Sequence, residues 1–329
     1  MKSPFTGNEM RRVCEKRTWK FRGEEYEYIH TAWLCEDSGE LFTTDETDDV
    51  GYAQVTNQYR VRYGIPFTDE VVAVREKYGV SAAKMSQILG IGINQWRHYE
   101  SGEVPSVSNG RMIRSIMNPE TFLDYVHSSK NLLGENEYRK LVKKIEDIAN
   151  LSKVDEWSRY SHSRIFPCER SQENGYGRQS LEHLKNILLY LIGNCKDVFY
   201  TKMNKLLFYA DFAAYRKSGM SITGLTYRAM EYGPVPVHWD RIYSQFDEIV
   251  QVPRIIGEKE GTELQSIFMP DKNQLTSFEI EILDEICSRF GTMPSSEISR
   301  ISHDEDAWIE CRMTQDAIPF EFAFALKAV

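Results

Sequence analysis

Aromatic and β-branched residues fill the first fifty positions in short runs broken by charge. WKFRGEEYEYIHTAWLC (19–35) sets them around Gly23-Glu24, which predicts a β-hairpin, and SGELFTTDE (38–46) predicts a return strand entering an acidic turn. From about Tyr52 the apolar spacing turns helical. DEVVAVREKYG, SAAKMSQILG, INQWRHYESG and NGRMIRSIMN (69–118) predict four short helices punctuated by Gly79, Gly90, Gly102 and Gly110. PETFLDYV (119–126) predicts another, with Pro119 in its first turn. A charged helix over 135–155 carries Leu141, Ile145, Ile148 and Leu151 on a narrow stripe and reads as a connector. CERSQENGYGRQS (168–180) has the composition of a linker. Beyond Leu181, a helix over 201–219 has Met203, Leu206, Leu207, Ala210 and Ala214 on a broad apolar face, and a hairpin is expected around Thr223–Pro236. The expected fold class is mainly α with small β elements. Its parts are a β-ribbon over 1–50, a helix-turn-helix bundle over 51–127, a connector and linker over 128–180, and a mostly helical α+β domain over 181–329.

Composition narrows the setting. With 329 residues, 41% hydrophobic and 27% charged, the chain is long enough for two or three domains and too apolar for wholesale disorder. Its longest apolar run, Ile187–Ile192, is far short of the roughly 20 residues a membrane span needs. MKSPFTGNEMRR has no apolar core, so a secretory signal is not expected. Six cysteines in a chain this long suit a reducing cytoplasm better than a disulfide framework. The net charge of −9 argues against nucleic-acid binding at first sight, but it is unevenly spread. Residues 180–329 hold 15 Lys and Arg against 22 Asp and Glu, whereas residues 66–126 hold 6 against 7. In that second stretch Asp69, Glu70, Glu120 and Asp124 lie at the ends and Lys84, Arg97, His98, Arg111 and Arg114 in the middle.

Three groups of residues could carry chemistry. Two short knuckles, SPFTGNEM and CEDSGE, have the outline of a zinc ribbon, but the ligand positions read Ser3, Thr6, Cys35 and Ser38. One thiolate with three hydroxyls is a poor zinc set, so a metal-free ribbon held by Phe5, Trp19, Tyr28, Trp33 and Phe42 is expected. VSAAKMSQILGIGINQWRHYESGEVPS (80–106) reads as a helix-turn-helix. Ser81 caps its first helix, Gly90 makes the turn, and Ile93, Trp96 and Tyr99 face inward. Asn94, Gln95, Arg97 and His98 then face outward, where they would meet base edges, with Lys84, Arg111 and Arg114 supporting the DNA contact. In the C-terminal part, His303, Asp304, Glu305 and Asp306, or Lys205 with Asp211, are the only clusters that suggest catalysis. No second metal-spaced ligand, nucleophile–base pair or phosphate loop accompanies them, so neither an enzyme nor a cofactor is expected.

The order of parts over roughly 1–126 resembles the MqsA-like (YgiT-type) antitoxins, whose DNA-binding half belongs to the Xre family. VREKYGVS, GIGINQWRHYESGEVPS and the arginine-bearing helix that follows carry the likeness. The resemblance implies base reading by Asn94; His98 stands where that family has Arg, with Arg97 beside it, and Ala82 replaces its usual glutamine. Over roughly 181–329, KLLFYADF, SITGLTYRAMEYGPVPV and SHDEDAW resemble the SocA-like antitoxin domain, also called Panacea. That likeness implies neutralisation of a toxin by direct binding but carries no contact residues with it, because the partner differs from member to member. The expected contact surface is the group of aromatics near the turn, Tyr227, Tyr232, Trp239 and Tyr243, because aromatics concentrate at interface hot spots. Taken together, the chain is expected to be a cytoplasmic antitoxin of a bacterial or phage type II system. Its partners would be a cognate toxin and operator DNA, with no membrane partner, and it would act as a homodimer. The acidic C-terminal half would favour a basic toxin. A proteolytic adaptor delivering the toxin to a ClpXP-type protease, and a plain transcription regulator with a C-terminal sensor domain, are the alternatives.

Overall fold

Strands β1 (Arg11–Phe21) and β2 (Glu24–Leu34) pair antiparallel in unbroken register from Arg11↔Leu34 to Phe21↔Glu24. Their turn is Arg22-Gly23, one residue earlier than expected, with φ 49° and 91° as a two-residue hairpin of matching twist requires. Of the predicted return strand only β3 (Leu41–Phe42) pairs with β2. Helix α1 (Asp45–Tyr63) starts seven residues before Tyr52, because Asp45, Glu46 and Asp48 in its first turn suit the positive end of the helix dipole. The computed structural model describes residues 1–152, 156–256 and 259–329. These form two compact units, one of residues 56–160 and one that joins 1–55 to 161–329.

The 56–160 unit is an all-helical bundle of the end of α1, α2 (Thr68–Tyr78), α3 (Ala82–Ile88), α4 (Gln95–Glu100), α5 (Val107–Ser115), α6 (Pro119–Ser128), α7 (Glu135–Ser152) and the start of α8 (Glu156–Ile165). Val71, Val74, Tyr78, Met85, Ile88, Trp96, Ile113 and Phe122 build its core. Ser81 caps α3 by accepting from the Lys84 N–H (3.2 Å), and Gly90 turns the chain at φ 67°. Helix α7 is no free-standing connector: Leu141 and Ile145 are buried in this same core, while Leu151 is exposed. The last three positions of the predicted helix, 153–155, lie outside the described residues.

In the other unit the chain continues with α9 (Leu181–Asn194), α10 (Tyr200–Ser218), the expected hairpin β4 (Tyr227–Met230) and β5 (Gly233–Pro236), and α11 (Trp239–Ile242). A second hairpin follows, β6 (Val250–Ile256) with β7 (Lys259–Gln265). It is not legible in the sequence because Pro253 and scattered charge hide its alternation. Then come α12 (Ser277–Phe290), α13 (Ser295–His303), α14 (Asp306–Cys311) and a closing 3₁₀ turn, Phe320–Ala325. Helix α10 is the axis of this unit: every residue from Lys202 to Tyr215 is buried, against α12, α13, β5 and the closing turn. The predicted linker is part of the core. Residues 174–177 are all buried, and Gly175 and Gly177 seat the backbone against Phe320, Ser221 and Gly224. The ribbon end is pinned by Gln54, whose amide pairs with both the N–H and the C=O of Ile29 on β2 (3.0 Å each). Gly219, at the end of α10, packs directly on Ala53 and Gln54. No helix among the described residues is long and apolar enough to cross a membrane.

Candidate functional site

The two knuckles at the end of the ribbon share one backbone form. In both knuckles a glycine in the left-handed region (Gly7, φ 71°; Gly39, φ 72°) donates its N–H back to the carbonyl four residues earlier, Ser3 at 2.9 Å and Cys35 at 2.8 Å. The two turns converge: Cys35 Sγ lies 3.1 Å from Ser3 Oγ and 4.0 Å from Thr6 Oγ1. Hydrogen bonds with Ser3 and then Ser38 pull the Cys35 thiol down to about 7. This donor set, one sulfur among neutral hydroxyls, does not fit the tetrahedral zinc that the ribbon outline implies. Among the described residues no three His, Cys, Asp or Glu side chains group as metal ligands.

In the helical unit the turn and α4 present a small polar face. Trp96 and Tyr99 are buried as expected, with the Trp96 N–H bonded to Ser86 Oγ (3.1 Å) and its indole N–H to Glu100 (2.9 Å). Ile93 is a correction: α4 begins only at Gln95, so Ile93 falls in the preceding turn and is exposed, while Ile91 packs on the core. Asn94, Arg97, His98 and Arg111 are exposed and make no side-chain hydrogen bond among the described residues. The other three predicted contacts are already engaged. Gln95 donates to Glu103 (3.1 Å), Lys84 pairs with Glu137 (3.3 Å), and Arg114 donates to the Gly64 carbonyl (3.0 Å).

The C-terminal polar residues meet on the buried helix α10. Lys202 donates to three carbonyls, of Lys196, Gly291 and Met293, at 2.7–2.8 Å. Asn204 accepts from the Tyr243 hydroxyl (2.5 Å). Asp211 accepts the N–H groups of Ile222 (2.9 Å) and Thr223 (2.8 Å), the Thr223 hydroxyl and the Tyr227 hydroxyl (2.6 Å). Burial raises the Asp211 carboxyl to about 6 against the pull of those donors. Lys205 is the exception: its Nζ is buried without a hydrogen-bond partner, and burial lowers it to about 7. Lys205 and Asp211 are therefore not a pair. Its stem packs under Gly233, where a side-chain carbon would come within 2.6 Å of Lys205 Cε and 2.3 Å of Ser302 Oγ.

The acidic run 303–306 also disperses. His303 stacks on Trp308 (4.0 Å), Asp306 pairs with Lys327, and Glu305 accepts from the Tyr209 hydroxyl (3.3 Å) and the Lys327 and Ala328 N–H groups (2.9 and 3.0 Å). Two of the four expected contact aromatics are corrected, since Tyr227 and Tyr243 are buried on Asp211 and Asn204. Trp239 is half-buried against Tyr200, and only Tyr232 is exposed. Sequence reasoning passed over Ile267, Phe268 and Met269. They are exposed by 93, 54 and 81%, beside a cleft of about 350 Å³ lined by Ile192, Val198, Val250 and Ile267. The signal was present as an apolar triplet ending at Pro270 and Asp271.

A search of the curated proteins and one of the solved structures found no match. Residues 203–309, from α10 through most of α14 and about a third of the chain, match the family model of the antitoxin SocA-like, Panacea domain.

Proposed function

We propose that this chain is the antitoxin of a bacterial or phage type II system. Its C-terminal part binds and neutralises a cognate toxin, and its helix-turn-helix represses the operon that encodes both. The match over 203–309 carries the neutralising half. Operator binding is supported by Asn94, Arg97 and His98, which stand exposed and uncommitted around the start of α4, with Arg111 nearby in sequence on α5. Asn and Arg at such positions make bidentate base contacts, and a homodimer would set half-site spacing. The toxin-facing surface we infer is the apolar triplet Ile267–Met269 with its cleft, because large contiguous exposed apolar groups are costly unless covered by a partner. An excess of acidic residues over 180–329 would steer a basic toxin there. The chain itself performs no covalent chemistry in this reading.

The test is co-expression with the product of the adjacent reading frame. The intact chain should rescue growth from that product, and Met269→Asp should lose rescue and co-purification. Asn94→Ala with Arg97→Ala should keep rescue yet lose the operator shift, at a cost of about 1–3 kcal/mol per bidentate contact. Rescue that survives Met269→Asp would remove the triplet from the interface. An operator shift that survives the double substitution would remove α4 from DNA recognition. A toxin whose half-life collapses in the presence of the chain would replace sequestration by delivery to a protease.

A further inference from the structure

Cys195 and Cys287, far apart in sequence, place their sulfurs 3.6 Å apart. Cys195 caps α9 just after Asn194, and Cys287 lies in the last turn of α12. The two backbones are lashed together beside them. The Lys196 N–H donates to the Gly291 carbonyl (2.8 Å), and the buried Lys202 ammonium grips the carbonyls of Lys196, Gly291 and Met293 at 2.7–2.8 Å. Cys195 is partly exposed and lines the cleft of about 350 Å³ next to Ile267. The hydrogen bond between the sulfurs, helped by the Lys202 charge, holds the Cys195 thiol below its ordinary range against burial, and the same contact holds Cys287 above it.

We propose that Cys195 and Cys287 form a redox-active pair that a peroxide converts into an intramolecular disulfide. A thiolate attacks peroxide and a neighbouring thiol resolves the product, and the geometry assigns these roles to Cys195 and Cys287 in that order. Cys195 sulfur attacks one peroxide oxygen and the O–O bond breaks. The departing hydroxide takes up the proton released by Cys195 and leaves as water, with the sulfur oxidised to a sulfenic acid. Cys287 sulfur then attacks that sulfur, the S–S bond forms and the S–O bond breaks, and the hydroxyl leaves with the Cys287 proton as a second water. Two thiols are oxidised by two electrons and one peroxide is reduced to two waters. A disulfide needs the sulfurs at about 2.05 Å. Cys195 has extended backbone (φ −118°, ψ 151°), so its side chain is not held to helical rotamers while it closes that gap. Under cytoplasmic reduction such a bond is transient, which suits a sensor better than a staple.

The experiment treats the full chain with hydrogen peroxide, blocks the remaining thiols by alkylation and maps the peptides by mass spectrometry. The expected product is a cross-linked peptide pair containing Cys195 and Cys287, lighter by two hydrogens and reversed by dithiothreitol. Cys287→Ser should leave a sulfenic acid on Cys195 that a cyclic dione traps, and Cys195→Ser should give neither product. Two results would overturn the pair: both thiols still fully alkylatable after one or more equivalents of peroxide, or a cross-link that joins either one to Cys14, Cys35, Cys168 or Cys311 instead. The wild-type map decides the question by itself, so a substitution that fails to fold does not blunt the test.

Discussion

Lys205 shows how much a single residue can conceal. Four polar side chains sit on the buried stretch of α10, and Lys202, Asn204 and Asp211 each find partners, whereas Lys205 Nζ has none. Its proton is held up to about 10.5 in the unfolded chain but only to about 7 in the folded one. Between those values the unfolded chain binds the extra proton, so stability rises with pH there, and below about 7 the full cost of burying the charge is present. At roughly 1.4 kcal/mol for each pH unit between the two values, that cost is several kcal/mol. Lys205→Met should therefore raise the melting temperature at pH 6–7, and the gain should shrink as pH approaches 10. Scanning calorimetry across that range checks it; a pH-independent difference would mean that Lys205 has a partner in solution. Local chemistry at this scale was legible in the sequence, as with the Ser81 cap and the Gly90 turn, because each depends on a few neighbouring backbone groups. The burial of Tyr227 and Tyr243 was not, since their hydroxyls are claimed by Asp211 and Asn204 on a helix earlier in the chain.

At the scale of elements, composition misleads most where glycine serves packing rather than flexibility. The segment 168–180 has linker composition, yet Gly177 lies so close to its neighbours that a β-carbon would sit 2.1 Å from Ser221 Oγ and 2.5 Å from the Gly224 nitrogen. Gly177→Ala must move backbone, and a loss on the order of 1–3 kcal/mol is expected. Gly193, exposed within α9 with open space around it, is the contrasting case: Gly193→Ala should be neutral or stabilise by about 1 kcal/mol. Thermal melts of the two variants side by side test the contrast, and equal melting temperatures would show that 174–177 is not part of the core. The segment 80–106 escaped such error, because its apolar period, the Ser81 cap and the Gly90 turn all point to the same short helices.

At the scale of the whole molecule, the units do not follow the linear order of the composition shifts. Residues 1–55 group with 161–329, and the helical bundle is inserted between them. A fragment starting at Leu181, where composition suggests a boundary, loses Asn174, Gly175 and Gly177 from their seats against Ser221 and Phe320. It should melt at a markedly lower temperature, or aggregate, beside a fragment starting at Ser161; circular dichroism of both measures the difference, and equal melting would make the segment dispensable. The sequence by itself determined the helical class, the short helices around Gly90 with Asn94, Arg97 and His98 exposed, and the likeness of the C-terminal part to the antitoxin SocA-like domain. These rest on periodicity, caps and motif residues that act over a few positions. Only the tertiary structure decided that the apparent linker is core, that Lys205 stands alone, that Ile267–Met269 are exposed, and that Cys195 meets Cys287. Each of those depends on which distant segments α10 and α12 bring together, and chain spacing carries no record of that.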